Sequence, residues 1–361
     1  MMDVPNDLGG DPAGLELWSQ RNQLVPSFVQ RAFEEEIHES LVSTILGSVT
    51  RWDITGVGSS EAHGRLLAYG LNSIGKSARF VPLSAYWSGF SLGNLRPAGQ
   101  IVFSQGLSNN AQIALNPEFE YKHRILVTAA TQENLKEAGK DDRALRLEIL
   151  EAQGGRILGL FPAEEYTILI RVLGPAVGFA KVIKLLGACA PDQFAPPSSE
   201  HVADAMEEGY ALGEEAADRW DLDLSATPHL ASIGFPADLL FNLACKWVEG
   251  IFYDAPNQYD VMALSHGPFQ QSTRAPRPLY LLTGPDESDR QAVEKVQQLW
   301  EAVKAPLREV QSPLPFPASL LYYEAFFNAL MVRFANRLDV NQVEWPGKGL
   351  DGPLYGLDSR L

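Results

Sequence analysis

Three polar residues in the second half of the chain are spaced so that they could perform acid–base chemistry. Lys246 and Glu249 lie three residues apart in the helical run ADLLFNLACKWVEGIFYD, so they share one face of the predicted helix. His266 follows in the segment YDVMALSHGPFQQ, and histidine titrates near neutral pH. A carboxylate can act as a general base, and an ammonium group can stabilise developing negative charge. The alternative is a surface ion pair beside a histidine that only braces a turn.

Two polar loops follow predicted strands in the first half and are candidates for anion binding. The loop GVGSSE contributes Gly58, Ser59 and Ser60, and its glycines allow a ligand to approach the backbone closely. The loop SQGLSN begins a predicted helix, where free N–H groups and the helix dipole favour an anion. Its candidate residues are Ser104, Gln105, Ser108 and Asn109. Each loop alone could be a plain helix N-cap, but two in consecutive units favour a bound phosphate or polyol.

The sequence lacks the motifs of common cofactor and metal sites. GVGSSE is missing the third glycine of a dinucleotide fingerprint, and no acidic residue ends the next strand, ARFVPLS. No Gly-Lys-Ser/Thr follows the loop, as a Walker motif requires. No spacing of cysteine and histidine suggests zinc, and there is no Gly-x-Ser-x-Gly elbow. We therefore expect neither a cofactor nor a metal.

Composition and charge argue against two classes of partner. Of the 361 residues, 45% are hydrophobic and 20% charged, which is typical of globular proteins. The net charge of −16 disfavours nucleic acid and anionic membrane surfaces, because both are negatively charged. The most apolar long run contains Arg171, Lys181 and Lys184, too many charges for a membrane span. With no signal-peptide pattern and two cysteines in apolar contexts, we expect a soluble cytoplasmic protein with a small-molecule ligand.

Strand and helix patterns alternate along the chain, which predicts an α/β protein with parallel sheets flanked by helices. The pattern occurs twice, and the Pro/Ser-rich stretch ACAPDQFAPPSSEHVAD separates the two halves. We predict a first domain at 25–190, a linker at 191–204, a second domain at 205–340 and an irregular tail at 341–361. Long helices are expected near 164–187 and 318–337.

The loops and the spacing of the polar residues resemble the sugar isomerase (SIS) family, specifically the isomerase portion of glucosamine-6-phosphate synthase and its deglycase relatives. The resemblance covers roughly residues 25–361. GVGSSE is similar to the family's Gly-x-Gly-Ser/Thr-Ser turn, and ACKWVE and LSHGP are similar to its Leu-Lys-x-x-Glu and Lys-His-Gly-Pro segments. In SQGLSN, Ser104 and Gln105 match the family's phosphate loop, whereas the next four residues depart from it. The glutamate that the family places four residues before the lysine is Asn242 here.

This resemblance implies two tandem flavodoxin-like SIS domains and an aldose–ketose isomerase or deglycase that acts on a sugar phosphate or related polyol. Glu249 would then move a proton between C1 and C2 through a cis-enediol, Lys246 would steady the enediolate, and His266 would help to open the sugar ring. Tandem SIS proteins are commonly dimers in which a His-Gly-Pro loop reaches the neighbouring site. We therefore expect a homodimer with residues 255–268 at or near the interface. The synthase's glutamine-hydrolysing domain is not expected in this protein.

Three questions stay open at the level of sequence. The departures in SQGLSN favour a non-catalytic sugar-phosphate sensor with the same fold, whereas Lys246, Glu249 and His266 favour an enzyme. The apolar helix LLYYEAFFNALMVRF at 320–334 could pack against a partner subunit or lie buried within its own half. Glu165, which follows LFPAE, could be a functional carboxylate or a residue that stabilises a helix N-terminus.

Overall fold

A computed structural model describes residues 4–88, 92–161 and 165–355, and two parallel sheets lie within these ranges. The strands of the first sheet are β1 (Trp52–Thr55), β2 (Ala78–Phe80), β3 (Gly99–Phe103), β4 (His123–Thr128) and β5 (Arg156–Gly159). The strands of the second sheet are β6 (His229–Ser232), β7 (Asn257–Asp260), β8 (Leu279–Thr283) and β9 (Leu307–Gln311). Their orders are β2-β1-β3-β4-β5 and β7-β6-β8-β9, with parallel pairing throughout. The first is the flavodoxin-like order and the second is the same order without its last strand, as predicted.

Helices separate the strands and pack on the sheets. In the first half they are α1 (Leu15–Glu34), α2 (Glu39–Leu46), α3 (Ser59–Ser73), α4 (Leu83–Ser88), α5 (Asn109–Ala114), α6 (Gln132–Glu137), α7 (Asp141–Ala152) and α8 (Leu173–Cys189). In the second half they are α9 (Ser199–Arg219), α10 (Phe241–Ile251), α11 (Pro268–Arg274), α12 (Glu287–Val303), α13 (Ser319–Arg337) and α14 (Gly352–Tyr355). Short 3-10 turns at Ala237–Leu240 and Val261–Ser265 precede α10 and α11. Across the described ranges, no helix combines the length and apolar character needed to cross a membrane.

The largest hydrophobic core joins the two halves. The helices α1, α8, α9, α10 and α13 pack against one another between the sheets. Fully buried side chains such as Trp18, Phe179, Trp247 and Phe327 come from both halves and belong to one cluster. Each sheet also has one smaller hydrophobic cluster, on the face away from this core. Residues of α8 and of α10 both belong to this core, so it brings side chains from the two halves close together.

Two helix starts and one strand differ from the sequence prediction. α8 begins at Leu173 rather than near residue 164, because the Glu165 carboxylate accepts hydrogen bonds from N–H groups at the start of the helix, those of Leu173 (3.1 Å) and Gly174 (2.7 Å). Glu165 therefore stabilises a helix N-terminus. α9 already begins inside the predicted linker, because the Ser198 hydroxyl accepts from the His201 N–H at 3.2 Å. The polar strand β7 was not predicted.

The apolar helix α13 is buried by its own chain. It packs against α9, α10 and α1, and the side chains of Phe327, Leu330 and Met331 are fully buried. The sequence left open a partner subunit or burial within its own half; the structure shows burial within the chain, by helices of both halves. This helix therefore offers no free apolar face to a partner subunit.

Candidate active site

Lys246 lies in the interior of the protein, in contact with α13. Its side chain is buried, and Nζ lies 2.8 Å from Oε2 of the fully buried Glu324. Nζ also donates a hydrogen bond of 2.6 Å to Oδ1 of Asn328. Asn242, one turn earlier on α10, donates its Nδ2 to the same Glu324 carboxylate. Lys246 is therefore a buried charge with a buried partner, and the alternative of a surface pair with Glu249 is wrong.

Glu324 supplies the carboxylate that the sequence lacks at position 242. Asn242 stands where a glutamate was expected, and the acid that balances Lys246 comes instead from the facing helix α13. Sequence reasoning missed Glu324 and Asn328. The signal was present, because a Glu and an Asn four residues apart within an apolar helical run require buried polar partners.

Glu249 lies one helical turn beyond Lys246, where α10 meets the loop that precedes α8. Its side chain is partly buried, and this burial raises the pKa of the carboxyl group, while the positive charges of Arg171 and Lys246 oppose the rise. The end of α10 is held in place by Gln342, whose Nε2 donates to the carbonyl of Glu249 at 2.7 Å. Gly250 packs closely against the core, because a Cβ at this position would lie 3.0 Å from Trp18 and 3.2 Å from Ile170. A carboxyl with a raised pKa on a fixed helix end suits a general base.

The first predicted loop begins α3 and faces α10. Gly58 has a left-handed φ of 60°, and a Cβ at Gly56 would lie 2.5 Å from the Ser60 carbonyl oxygen. The loop therefore turns tightly into the first turn of α3. Ser59 and Ser60 are partly exposed there, and neither hydroxyl has a hydrogen bond with another described residue. These hydroxyls and the free N–H groups of the helix start are available to a ligand.

Charged contacts connect α3 with the segment around α10. Arg65 pairs with Glu61 on its own helix at 2.6 Å and with Asp238, just before α10, at 3.1 Å. Burial raises the pKa of the Cys245 thiol to about 12, and the charges of Glu249 and Glu61 also favour its protonated form. The first turn of α3 thus lies near the same stretch of α10 that carries Glu249.

The second predicted loop uses much of its polar capacity internally. The Ser104 hydroxyl accepts from the Ser108 N–H at 3.0 Å, and the Ser108 hydroxyl accepts from the Ala111 N–H at 3.3 Å to cap α5. Leu107 has a φ of 49° and its side chain is buried in the adjacent core, while Asn109 is exposed. The arrangement is a well-capped turn.

Gln105 extends from this loop toward the start of α8. A Cβ at Gly174 would lie 2.2 Å from Oε1 of Gln105, so the two segments are in close contact. A cleft of about 140 Å³ lies beside the loop, with Gly106, Lys140 and Tyr166 among the residues that line it. Gln105 therefore lies between this cleft and the helix start that Glu165 caps.

His266 is placed apart from the other candidates. Its side chain is exposed, and its backbone N–H donates to the carbonyl of Ala263 at 3.0 Å. Gly267 follows with a φ of 132°, and Pro268 begins α11. Among the described residues, no contact joins the His266 side chain to Lys246 or Glu249. The structure thus places Glu249 on the helix that the α3 loop faces, turns the Lys246 ammonium group toward α13 and leaves His266 on the surface.

Comparisons with known proteins show similarity in structure rather than in sequence. No protein-family model and no curated protein matches the sequence. The tagatose-6-phosphate ketose/aldose isomerase of Escherichia coli superposes with a TM-score of 0.69 at 15% identity, covering 93% of this chain and 98% of that one. The C-terminal domain of the Francisella tularensis glucosamine-fructose-6-phosphate aminotransferase gives 0.67 at 12% identity, covering 94% and 100%.

A third solved structure shows the same relationship. The glucosamine-6-phosphate deaminase of Thermotoga maritima gives a TM-score of 0.62 at 12% identity, covering 91% of this chain and 97% of that one. In each case nearly the whole chain corresponds to nearly the whole of the other protein, although few residues are identical. The chain therefore shares the α/β fold of these SIS-domain proteins, with two parallel sheets flanked by helices.

Proposed function

We propose that this protein is an aldose–ketose isomerase, or a deglycase, that acts on a sugar phosphate or a related polyol. The observation that supports this most directly is the position of Glu249. Its partly buried carboxyl lies at the junction of the two halves, has a raised pKa and is flanked by two cations. The fold is shared with proteins named as an isomerase and a deaminase of sugar phosphates, which supports the same class of substrate.

In the proposed reaction one carboxylate serves two neighbouring carbons. Glu249 takes the proton from C2 of the open-chain aldose, the electrons of that C–H bond form the C1–C2 double bond, and the carbonyl electrons move to O1. The O2 hydroxyl proton passes to O1, the electrons left on O2 form the new carbonyl, and the electrons of the C1–C2 double bond take the proton back at C1 from the same carboxyl. The positive charges of Lys246 and Arg171 favour the ionised carboxylate and also the negative oxygen of the intermediate.

Substrate binding is assigned to the two loops at the carboxyl ends of β1 and β3. Gly58, Ser59 and Ser60 present free hydroxyl and N–H groups at the start of α3, which is fifteen residues long. The loop of Ser104, Gln105, Ser108 and Asn109 is a weaker candidate, since its serine hydroxyls already cap its own turn. We therefore assign the main anion or hydroxyl contacts to the α3 loop.

A non-catalytic sugar-phosphate sensor is the second candidate function. Two features of the second loop favour a sensor. The Ser104 and Ser108 hydroxyls are used in internal hydrogen bonds, and Leu107 is buried, so the loop is poorly suited to bind a phosphate during turnover. A sensor would bind its ligand through the α3 loop and would leave the C–H bonds of the ligand untouched.

His266 can take part in the proposed reaction if the protein forms a dimer. The side chain is exposed and has no contact with Glu249 within one chain, so it can act in a site only by reaching that of a second copy. We propose a two-fold homodimer in which the segment 255–268 lies near the neighbouring site, where His266 would protonate the ring oxygen during ring opening.

Solvent exchange distinguishes the two functions. The protein is incubated in D₂O with fructose 6-phosphate and, separately, with glucose 6-phosphate, and deuterium at C1 and C2 is followed by NMR. Binding of each compound is measured in parallel by calorimetry. Binding with enzyme-dependent exchange supports the isomerase or deglycase, and binding without exchange of either compound supports the sensor.

A further inference from the structure

A second cavity lies between α1, α9 and α13, on the opposite side of the Lys246 ion pair from α10. Its volume is about 240 Å³, larger than the cleft beside Gln105. Its mouth is formed by the exposed residues Gln23 and Glu207. The buried wall is apolar and consists of Val25, Pro26, Met206 and Ala325. A space of this size, open at one end, suits a ligand of about one ring, since a dry cavity of roughly 150 Å³ holds a benzene molecule.

The cavity also carries directed polar groups. Asn328 lines it and is 1% exposed, and its Nδ2 has no hydrogen-bond partner among the described residues. The other end of the same amide is fixed, because Oδ1 accepts from Lys246. Asn22 also lines the cavity, and Pro26, which lies four residues later within α1, has no N–H to donate to the Asn22 backbone carbonyl. An unpaired amide donor in a buried wall requires an acceptor.

We propose that this cavity binds a small neutral molecule with an apolar body and a carbonyl or lactam group. The carbonyl would accept from Asn328 Nδ2, and a ligand N–H would donate to the Asn22 carbonyl. Anionic ligands are disfavoured because the one charged residue among the described residues that line the cavity, Glu207 at the mouth, is negatively charged and repels them. This site is separate from the proposed sugar site, and its test needs no catalytic activity.

Because Asn328 contacts both the cavity and Lys246, the bound molecule is one side chain away from the proposed active site. The amide already has Oδ1 toward Lys246, so a ligand that accepts from Nδ2 binds without a change in this contact.

The test uses 2-piperidone, a neutral six-membered lactam, as the probe for the full-length protein. Binding is measured by saturation-transfer NMR and by crystal soaking, with cyclohexanecarboxylate as an anionic comparison. Two variants close the cavity in different ways: Gln23→Trp blocks the mouth from an exposed position, and Ala325→Leu fills the interior. The matched control is Gln20→Trp, an exposed position on the same helix that does not line this cavity.

We expect 2-piperidone to bind the wild type and the Gln20→Trp control equally and the carboxylate to bind more weakly. Each closing variant should weaken lactam binding by at least roughly tenfold, equivalent to about 1.4 kcal/mol. Gln23→Trp keeps the test valid if Ala325→Leu does not fold. Absence of lactam binding to the wild type, or equal binding to wild type and Gln23→Trp, would overturn the proposal.

Discussion

At the scale of the residue, the proposed chemistry depends on whether the Glu249 carboxyl group is protonated. Burial raises the pKa of Glu249, so its basic form becomes populated at a higher pH than that of an exposed glutamate. A base is active when deprotonated. The rate of the proposed exchange should therefore rise with pH, with a midpoint above that of an exposed glutamate.

Replacing Arg171 with Gln should move this midpoint to a higher pH. Arg171 lowers the pKa of Glu249 by favouring the ionised form, so its removal raises that pKa further and reduces activity on the acid side. The measurement is the exchange rate as a function of pH in wild type, Arg171→Gln and the exposed control Arg290→Gln. A shift to lower pH, or an equal shift in the control, would contradict this assignment.

The sequence predicts some of these residues and not others, for a physical reason. Lys246 and Glu249 were found because their separation is local and places them on one helical face. Glu324 was not found as the partner of Lys246, because the pair joins α10 to α13 across the core and no local spacing encodes that contact. Arg171 was noticed only as a charge in an apolar run, although the fold brings it to Glu249.

At the scale of the element, the contact between α10 and α13 depends on a buried ion pair. Lys246→Met or Glu324→Gln alone should lower the free energy of unfolding by about 3–5 kcal/mol, because each leaves the other buried group without its charged partner. The double variant should cost less than the sum of the two single losses. Chemical denaturation of all four proteins measures this coupling.

The exposed pair Arg96–Glu120 is the control for this cycle. Its atoms are 2.7 Å apart, but the two side chains are 79% and 62% exposed, so solvent screens their attraction. Arg96→Met and Glu120→Gln should show almost no coupling. Strictly additive losses for Lys246 and Glu324 would mean that the pair contributes nothing beyond its separate contacts.

The two serine loops should respond differently to the loss of a hydroxyl. Ser60→Ala should weaken the binding of fructose 6-phosphate by about 1.5–3 kcal/mol if the hydroxyl meets a charged oxygen, and should affect fructose less. Its effect on folding should be small, since this hydroxyl has no partner among the described residues. Ser104→Ala should instead lower the free energy of unfolding by about 1 kcal/mol, because Ser108 N–H loses its acceptor.

Calorimetry with both sugars and denaturation of both variants check these expectations. If Ser60→Ala binds fructose 6-phosphate as wild type does, the α3 loop is not the anion site. If Ser104→Ala lowers the affinity for fructose 6-phosphate and leaves the free energy of unfolding unchanged, the second loop binds the phosphate despite its internal hydrogen bonds.

At the scale of the whole molecule, the fold predicted from the sequence is confirmed, whereas the homodimer stays a prediction. Alternating strand and helix patterns specify parallel sheets, and both sheets have the expected order. β7 was missed because its residues, NQYD, are polar and lie at the edge of the second sheet. The apolar helix α13 offered a local reason to expect an interface, and its burial within the chain removes that reason.

The remaining reason to expect a site shared between subunits is the exposed position of His266. Mixing of subunits tests whether His266 acts in the neighbouring site. Glu249→Gln and His266→Ala should each be inactive alone. After subunit exchange, hybrid dimers should regain part of the activity, because one of their two sites then carries neither substitution. The exchange of subunits is verified by native mass spectrometry. A monomer in light scattering, or an inactive mixture of proven hybrids, would contradict the shared site.

Deuterium exchange in Glu249→Gln tests the central claim most directly. The amide has the shape of the carboxyl but cannot take a proton. With fructose 6-phosphate in D₂O, wild type and the exposed control Glu301→Gln should incorporate deuterium at C1 at equal rates, whereas Glu249→Gln should bind the sugar without incorporating it. If Glu249→Gln retains most of the wild-type exchange rate, Glu249 is not the base and the proposed mechanism is wrong.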